Sequence, residues 1–220
     1  MNIISRTITS VLNLLFPDQC IGCRAPGVII CDQCFSKIPR ADHAEYPFIH
    51  PVFTYRNDII KNAIWRLKYG NTRRIAALFG GVLYEEILGI LDETLTGIPA
   101  EKIILIPIPL HHKRERERGY NQSELLTHAI LAHDTAGILE HIPALITRTR
   151  ATKPQAHAPK RAERLKNLRG AFTRTNTDRV RGKTIVLVDD VATTGATIAE
   201  ARRTLIASGA TRVIAVTVAH

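Results

Sequence analysis

Val188-Asp189-Asp190-Val191-Ala192-Thr193-Thr194-Gly195-Ala196-Thr197 decides how this chain is read. It continues a run of β-branched and aliphatic residues, Thr184-Ile185-Val186-Leu187-Val188, and opens onto a helical pattern over Ile198–Ser208. A strand apolar on both faces is buried, and its carboxyl end reaches the sheet edge where α/β folds bind ligands. The turn through Thr193–Thr197 offers backbone N–H groups at a helix N-terminus, which suits a phosphate dianion. Gly195 permits close approach of the backbone, and the threonine hydroxyls add donors. Asp189 and Asp190 do not belong beside a phosphate, since like charges repel. They fit one sugar-length away, accepting hydrogen bonds from ribose 2′- and 3′-hydroxyls. The simpler alternative is a helix N-cap in which Asp190 or Thr193 satisfies end amides. It leaves two adjacent acids and a Thr-Thr-Gly-Ala-Thr run unexplained.

Two acids followed by a Thr-Gly phosphate loop resemble the phosphoribosyl pyrophosphate (PRPP) signature of type I phosphoribosyltransferases. That resemblance implies PRPP binding by Val191, Ala192, Thr193, Thr194, Gly195, Ala196 and Thr197, with Asp189 and Asp190 as the catalytic pair. The rest of the chain is read around it. Ile103-Ile104-Leu105-Ile106 and Val213–Val218 are further apolar runs without alternation. With helices near Gln122–Ala136 and Ile198–Ser208, they predict an α/β domain with a mainly parallel sheet flanked by helices. Upstream, Val52–Tyr55 is expected as a short strand and Asp58 as the cap of a helix carrying Ile59, Ile60, Ile64 and Leu67. A second helix is expected from Arg73 to about Leu91, and Pro39–Pro51 reads as a linker.

Charge is distributed unevenly. The 220 residues carry a formal net charge of +10. Between Arg148 and Arg181 eleven Lys or Arg face only Glu163 and Asp178, while the rest of the chain holds 19 basic and 18 acidic residues. Such a segment attracts phosphate-rich partners, either a nucleotide-like ligand or a nucleic-acid backbone; a solvated basic loop is the plainer alternative. Its density of arginine suits a mobile loop closing over a polyanion. Upstream, Lys113, Arg114, Arg116 and Arg118 follow Ile106-Pro107-Ile108-Pro109 and are placed to face pyrophosphate oxygens. Glu115 and Glu117 alternate with them, so a solvated salt-bridged turn is the competing reading; Arg118, beside Gly119, is the favoured ligand.

All four cysteines lie within fifteen residues, as Cys20-Ile-Gly-Cys23 and Cys31-Asp-Gln-Cys34. Two Cys-x-x-Cys turns supply a tetrahedral thiolate set, which points to a closed, structural Zn²⁺ site, with Gly22 letting the first turn fold back. Two disulfides or an iron–sulfur centre are the alternatives. No apolar run approaches the roughly 20 residues of a membrane span, and the N-terminus does not read as a secretory signal. Residues 3–15 read as an amphipathic docking helix, and the expected compartment is the cytoplasm.

Leu14-Leu15-Phe16-Pro17, Leu67-Lys68-Tyr69-Gly70, Pro107-Ile108-Pro109-Leu110-His111 and Arg116–Gln122 complete a pattern similar to the ComF family. So do the decamer and Arg148-Thr149-Arg150-Ala151-Thr152 through Gln155, Arg164 and Asn167. The resemblance implies an N-terminal helix and zinc ribbon over residues 1–40 and a type I phosphoribosyltransferase-like domain over 50–220. It also implies Mg²⁺ with PRPP, and Lys68, Arg118, Arg148, Arg150, Gln155 and Arg164 as pyrophosphate or flexible-loop residues. The family is linked to natural competence, so single-stranded DNA along residues 148–181 and competence or helicase proteins are the implied partners. A dedicated phosphoribosyltransferase acting on a base or amine is the alternative. The chain also resembles the synthase half of amidophosphoribosyltransferase, but residue 2 is Asn, so the glutaminase nucleophile of that enzyme has no counterpart.

Overall fold

The computed structural model of the chain describes residues 18–42, 44–70, 73–94, 102–142, 144–149, 169–174 and 178–220. The reading of residues 3–15 as a helix falls outside them.

A short helix, α1 (Asp32–Phe35), belongs to the cysteine knuckle. There follow β1 (Ile49–Phe53), α2 (Asp58–Tyr69), α3 (Arg73–Thr94), β2 (Ile103–Pro107), α4 (His112–Arg118) and α5 (Gln122–Leu131). The remainder is β3 (Leu139–His141), β4 (Ile146–Arg148), β5 (Phe172–Arg174), β6 (Thr184–Val191), α6 (Ala196–Ala207) and β7 (Arg212–Ala219). Five strands form a sheet in the order β1-β7-β6-β2-β3, and every pairing in it is parallel. β4 and β5 pair antiparallel in a separate ribbon.

The apolar runs follow directly from this topology. Along β6, Val186 and Val188 point into a core shared with α2, α3 and α5, whereas Ile185 and Leu187 point into a second core with α6 and the β4–β5 ribbon. A strand covered on both faces has no reason to alternate, so periodicity gives way to a continuous β-branched run.

Three expectations need correction. The stretch Pro39–Pro51 is not a linker to its end, since Ile49, His50 and Pro51 pair with Ala215, Val216 and Thr217. β1 is the outermost strand of the sheet, its open side met only by a bridge from Arg40 to Phe53, and such an edge position tolerates a residue without an N–H. The α2 cap is Asn57, whose side chain accepts from the amides of Ile59 and Ile60 at 2.9 and 3.3 Å; Asp58 is the first helical residue. The helix expected to reach Ala136 stops at Leu131, because Asp134 accepts from the Ile138 and Leu139 amides and draws the chain into β3.

The knuckle is fastened to the sheet. Ile29, Ile30 and Ile38 share the core of β1 and α2, and the Phe35 ring meets Phe53 edge-on at 5.6 Å. Arg74 on α3 pairs with Asp18.

Candidate functional site

The carboxyl end of the sheet gathers segments far apart in sequence. β6 ends in Asp189, Asp190 and Val191, and after four residues α6 begins with Gly195 as its N-cap at φ 65°. Glycine is required there twice over: the left-handed backbone penalises side chains, and a Cβ would stand 2.7 Å from the Tyr46 ring. The expected role of Gly195 was close approach to a ligand; what it closely approaches in the structure is Tyr46. Gly195 has no side chain to cap α6, and both acids are turned elsewhere, which disfavours the simple N-cap alternative. Thr193 is exposed, and Thr194 and Thr197 are half-buried at the turn.

Asp189 accepts from the Ser123 hydroxyl and the Asp190 amide, each at 2.9 Å. Burial, then the neighbouring Asp190 charge, push its carboxyl up to about 7. Asp190 is buried, and its Oδ2 lies 2.9 Å from the Lys68 ammonium in an ion pair. Burial works against the Lys68 charge, but Asp190 and then Asp189 more than reverse it, so the ammonium titrates above its usual range.

These groups open into a cleft of about 450 Å³, within the range of small-molecule sites. Lys68, Arg114, Arg118, Arg148 and Thr197 line it with the two acids. The expected pyrophosphate loop is a seven-residue helix, α4, capped by His111 and closed by Gly119 at φ 83°. Positions i and i+4 share a helix face, so Arg114 and Arg118 turn inward, half-buried, while Lys113 and Arg116 are exposed. Two of the four cations thus face the cleft and two face solvent. Arg118 bonds Gln122 and lies over the Tyr69 ring at 5.3 Å.

The quoted motif around Asn121 is scaffolding for the cleft. The Tyr120 hydroxyl donates to the Leu67 carbonyl at 2.7 Å, fixing the end of α2 where Lys68 and Tyr69 project. Asn121 caps α5 through the Ser123 amide and donates to the Ile108 carbonyl at 3.1 Å. Ser123, Tyr69 and Tyr46 were not foreseen as site residues, and only the adjacency of Ser123 to the Tyr-Asn-Gln run pointed toward it; Arg114 was among the four cations considered, with Arg118 favoured.

Arg148 lies at the end of β4 and over the Phe172 ring at 5.8 Å. Burial and then the Arg114 charge lower its affinity for a proton, against the pull of Asp189. The Thr149 amide donates to the Ala171 carbonyl at 3.0 Å, so the start of the basic segment is tied to the residue before β5 within it. The Gly170 amide donates to Glu200 on α6 at 2.6 Å and anchors the chain just before β5. Arg150, Gln155 and Arg164 lie outside the described residues.

At the knuckle, Sγ of Cys31 is 3.7 Å from that of Cys20 and 3.6 Å from that of Cys23, and all four sulfurs fall within 4.8 Å of one another. Disulfide sulfurs would sit about 2.05 Å apart, and all four cysteines are free. A tetrahedron with metal–sulfur bonds of about 2.3 Å has edges of about 3.8 Å. The cluster is thus spaced to hold one metal ion. Gly22 serves by its size: a Cβ would lie 2.7 Å from Cys34 Sγ and 2.9 Å from Ile59 Cδ1. The left-handed position falls instead on Arg24, at φ 65°.

Among the described residues, no helix is long and apolar enough to cross a membrane. Residues 130–220 match the Phosphoribosyl transferase domain family. The chain is 37% identical over 226 residues to the DNA utilization protein YhgH of Salmonella typhi, a match spanning 91% of this chain and 96% of that protein. It is 31% identical over 159 residues to the Competence protein ComFC of Bacillus subtilis, with 72% and 58% covered. To the Competence protein F of Haemophilus influenzae it is 31% identical over 143 residues, with 64% and 59% covered. A match running the length of the Salmonella protein takes in the cysteine knuckle as well as the sheet: the chain belongs to the ComF family and has its type I phosphoribosyltransferase fold.

Proposed function

We propose that the cleft binds PRPP with Mg²⁺, and that the protein plays a ComF-like part in natural competence, in the uptake and processing of transforming single-stranded DNA. Phosphoribosyl transfer is within the chemical reach of the site. The observation that carries this reading is the acidic pair beside the uncapped N-terminus of α6, with Lys68, Arg118 and Arg148 across the cleft. The 5′-phosphate fits the amides and hydroxyls of Thr193–Thr197, and the ribose hydroxyls fit Asp189 and Asp190. The pyrophosphate end then falls toward Lys68, Arg118 and Arg148. As the bond from the anomeric carbon to oxygen breaks and pyrophosphate leaves with the electron pair, these cations stabilise the negative charge gathering on its oxygens, and the acceptor's nucleophilic atom bonds to the ribosyl cation. Asp189 and Asp190 are the residues suited to hold Mg²⁺, which would add to that stabilisation. In the knuckle, Cys20, Cys23, Cys31 and Cys34 fit Zn²⁺ with no open position, a structural role.

The competence assignment is tested by complementation in a naturally transformable host lacking its own family member. The wild-type chain is expected to restore transformation and the Asp189→Ala/Asp190→Ala variant to fail. Equal restoration by the variant would overturn the cleft's part in that role. The alternative, a dedicated transferase for a base or amine, predicts pyrophosphate release with some acceptor in a screen; silence across the screen favours the competence reading.

Direct contact with single strands has its own support. Trp65 and Tyr69, one turn apart on α2, are 61% and 64% exposed, with ring centroids 5.6 Å apart and Arg118 over Tyr69. Exposed rings beside cations form a stacking platform for bases. Oligonucleotide affinity should fall in a Trp65→Ala/Tyr69→Ala variant and with rising salt.

A further inference from the structure

We propose that Glu124, His128 and His141 form a second metal site, selective for a divalent transition ion of the zinc class. Glu124 and His128 are four apart on α5 and share a face of the helix; His141 ends β3, the edge strand at the opposite side of the sheet from β1 and the knuckle. Oε1 of Glu124 lies 3.4 Å from Nε2 of His128 and 3.2 Å from Nε2 of His141. The three ligand atoms all fall within 4.8 Å of one another. Bonds of about 2.0–2.1 Å from zinc to nitrogen or oxygen give a tetrahedron with edges of about 3.3–3.4 Å. The two closest separations therefore match a common ion better than they match hydrogen bonds.

His141 supplies a second observation. Its side chain is only 12% exposed, and its Nε2 is enclosed without a hydrogen-bond partner despite the nearby carboxylate. His128 stands at the solvent side, 61% exposed, and its ring meets that of His141 edge-on at 5.2 Å. Two imidazoles and one carboxylate leave a fourth position for water or an exchangeable ligand, unlike the closed four-thiolate set. The donors are nitrogen and oxygen, so the two sites differ in spectroscopy as well as in place.

The test uses the full chain loaded with one equivalent of Zn²⁺ at the cysteines and titrated with Co²⁺. The expected result is uptake of one further equivalent, with weak ligand-field bands of a nitrogen–oxygen site and no thiolate charge-transfer band. His128→Ala, at an exposed position, and Glu124→Gln should each weaken that uptake by at least about tenfold while leaving the thermal midpoint in place. No second equivalent at millimolar Co²⁺ would overturn the proposal, leaving a plain carboxylate–imidazole ion pair. Undiminished uptake in both variants would overturn it too, as would Co²⁺ appearing only with a thiolate band.

Discussion

The knuckle and the cleft are both clusters of chemically active side chains, but they are assembled in opposite ways. The knuckle draws four sulfurs from fifteen consecutive residues, and those groups face one another. The cleft draws on α2, α4, α5, β4, β6 and α6, and its two acids, Asp189 half-buried and Asp190 buried, stand side by side with Lys68 as the nearest cation. A local cluster that satisfies itself is built for stability. A dispersed cluster with unresolved charge is held in place by the rest of the fold and is suited to receive a ligand.

The sharpest way to break that comparison is to remove the metal ligands. Cys31→Ser, or a strong chelator, should expose Ile29, Ile30, Ile38 and Phe35, which are part of the main core. A loss of about 3–5 kcal/mol corresponds to a melting temperature lower by roughly 6–20 °C in a chain of this size. An unchanged melting curve in scanning calorimetry would mean that the knuckle is an ornament.

The cleft should respond in the opposite direction. Asp189→Asn keeps an acceptor for Ser123 and removes a buried charge. The folded protein holds the Asp189 proton up to about pH 7, and an unfolded chain releases it near pH 4. Stability contributed by this group is therefore present below about pH 4 and lost as pH rises through 7. The variant should gain on the order of 2 kcal/mol over wild type between pH 5 and pH 8, measured by denaturant melts at both values. A pH-independent difference would contradict the buried charge.

Glycines give a smaller and more local contrast. Gly195→Ala should cost about 1–2 kcal/mol from the left-handed backbone, with Tyr46 forced aside. Arg24→Gly in the knuckle removes the same kind of strain and should stabilise by up to about 1 kcal/mol. Chemical denaturation of both variants reads the two signs, and equal signs would void the comparison.

Legibility in the sequence followed the same divide. The four cysteines announce a cluster because their spacing is local, and β2, β6 and β7 announce themselves because burial on two faces leaves unbroken apolar runs. The edge strands did not: β1 contains His50 and Pro51, and β3 is three residues long. In the cleft, Asp189 and Asp190 were legible from the strand they end and Lys68 from the family resemblance, but the contacts they make were not. Ser123 is 66 positions from Asp189, and Lys68 reaches Asp190 from another helix. Nothing in a linear pattern records such contacts. Tyr46 was hidden in a stretch read as linker, although its ring occupies the space that keeps Gly195 a glycine.

The claim that most of this depends on is that the carboxyl end of β6 is a phosphoribosyl site. Isothermal titration of the zinc-loaded chain with PRPP in the presence of Mg²⁺ tests it directly. Wild type should bind one equivalent, and Asp189→Asn/Asp190→Asn should show no saturable heat while remaining folded. Binding of equal affinity in the double variant, or none in wild type, would contradict the account.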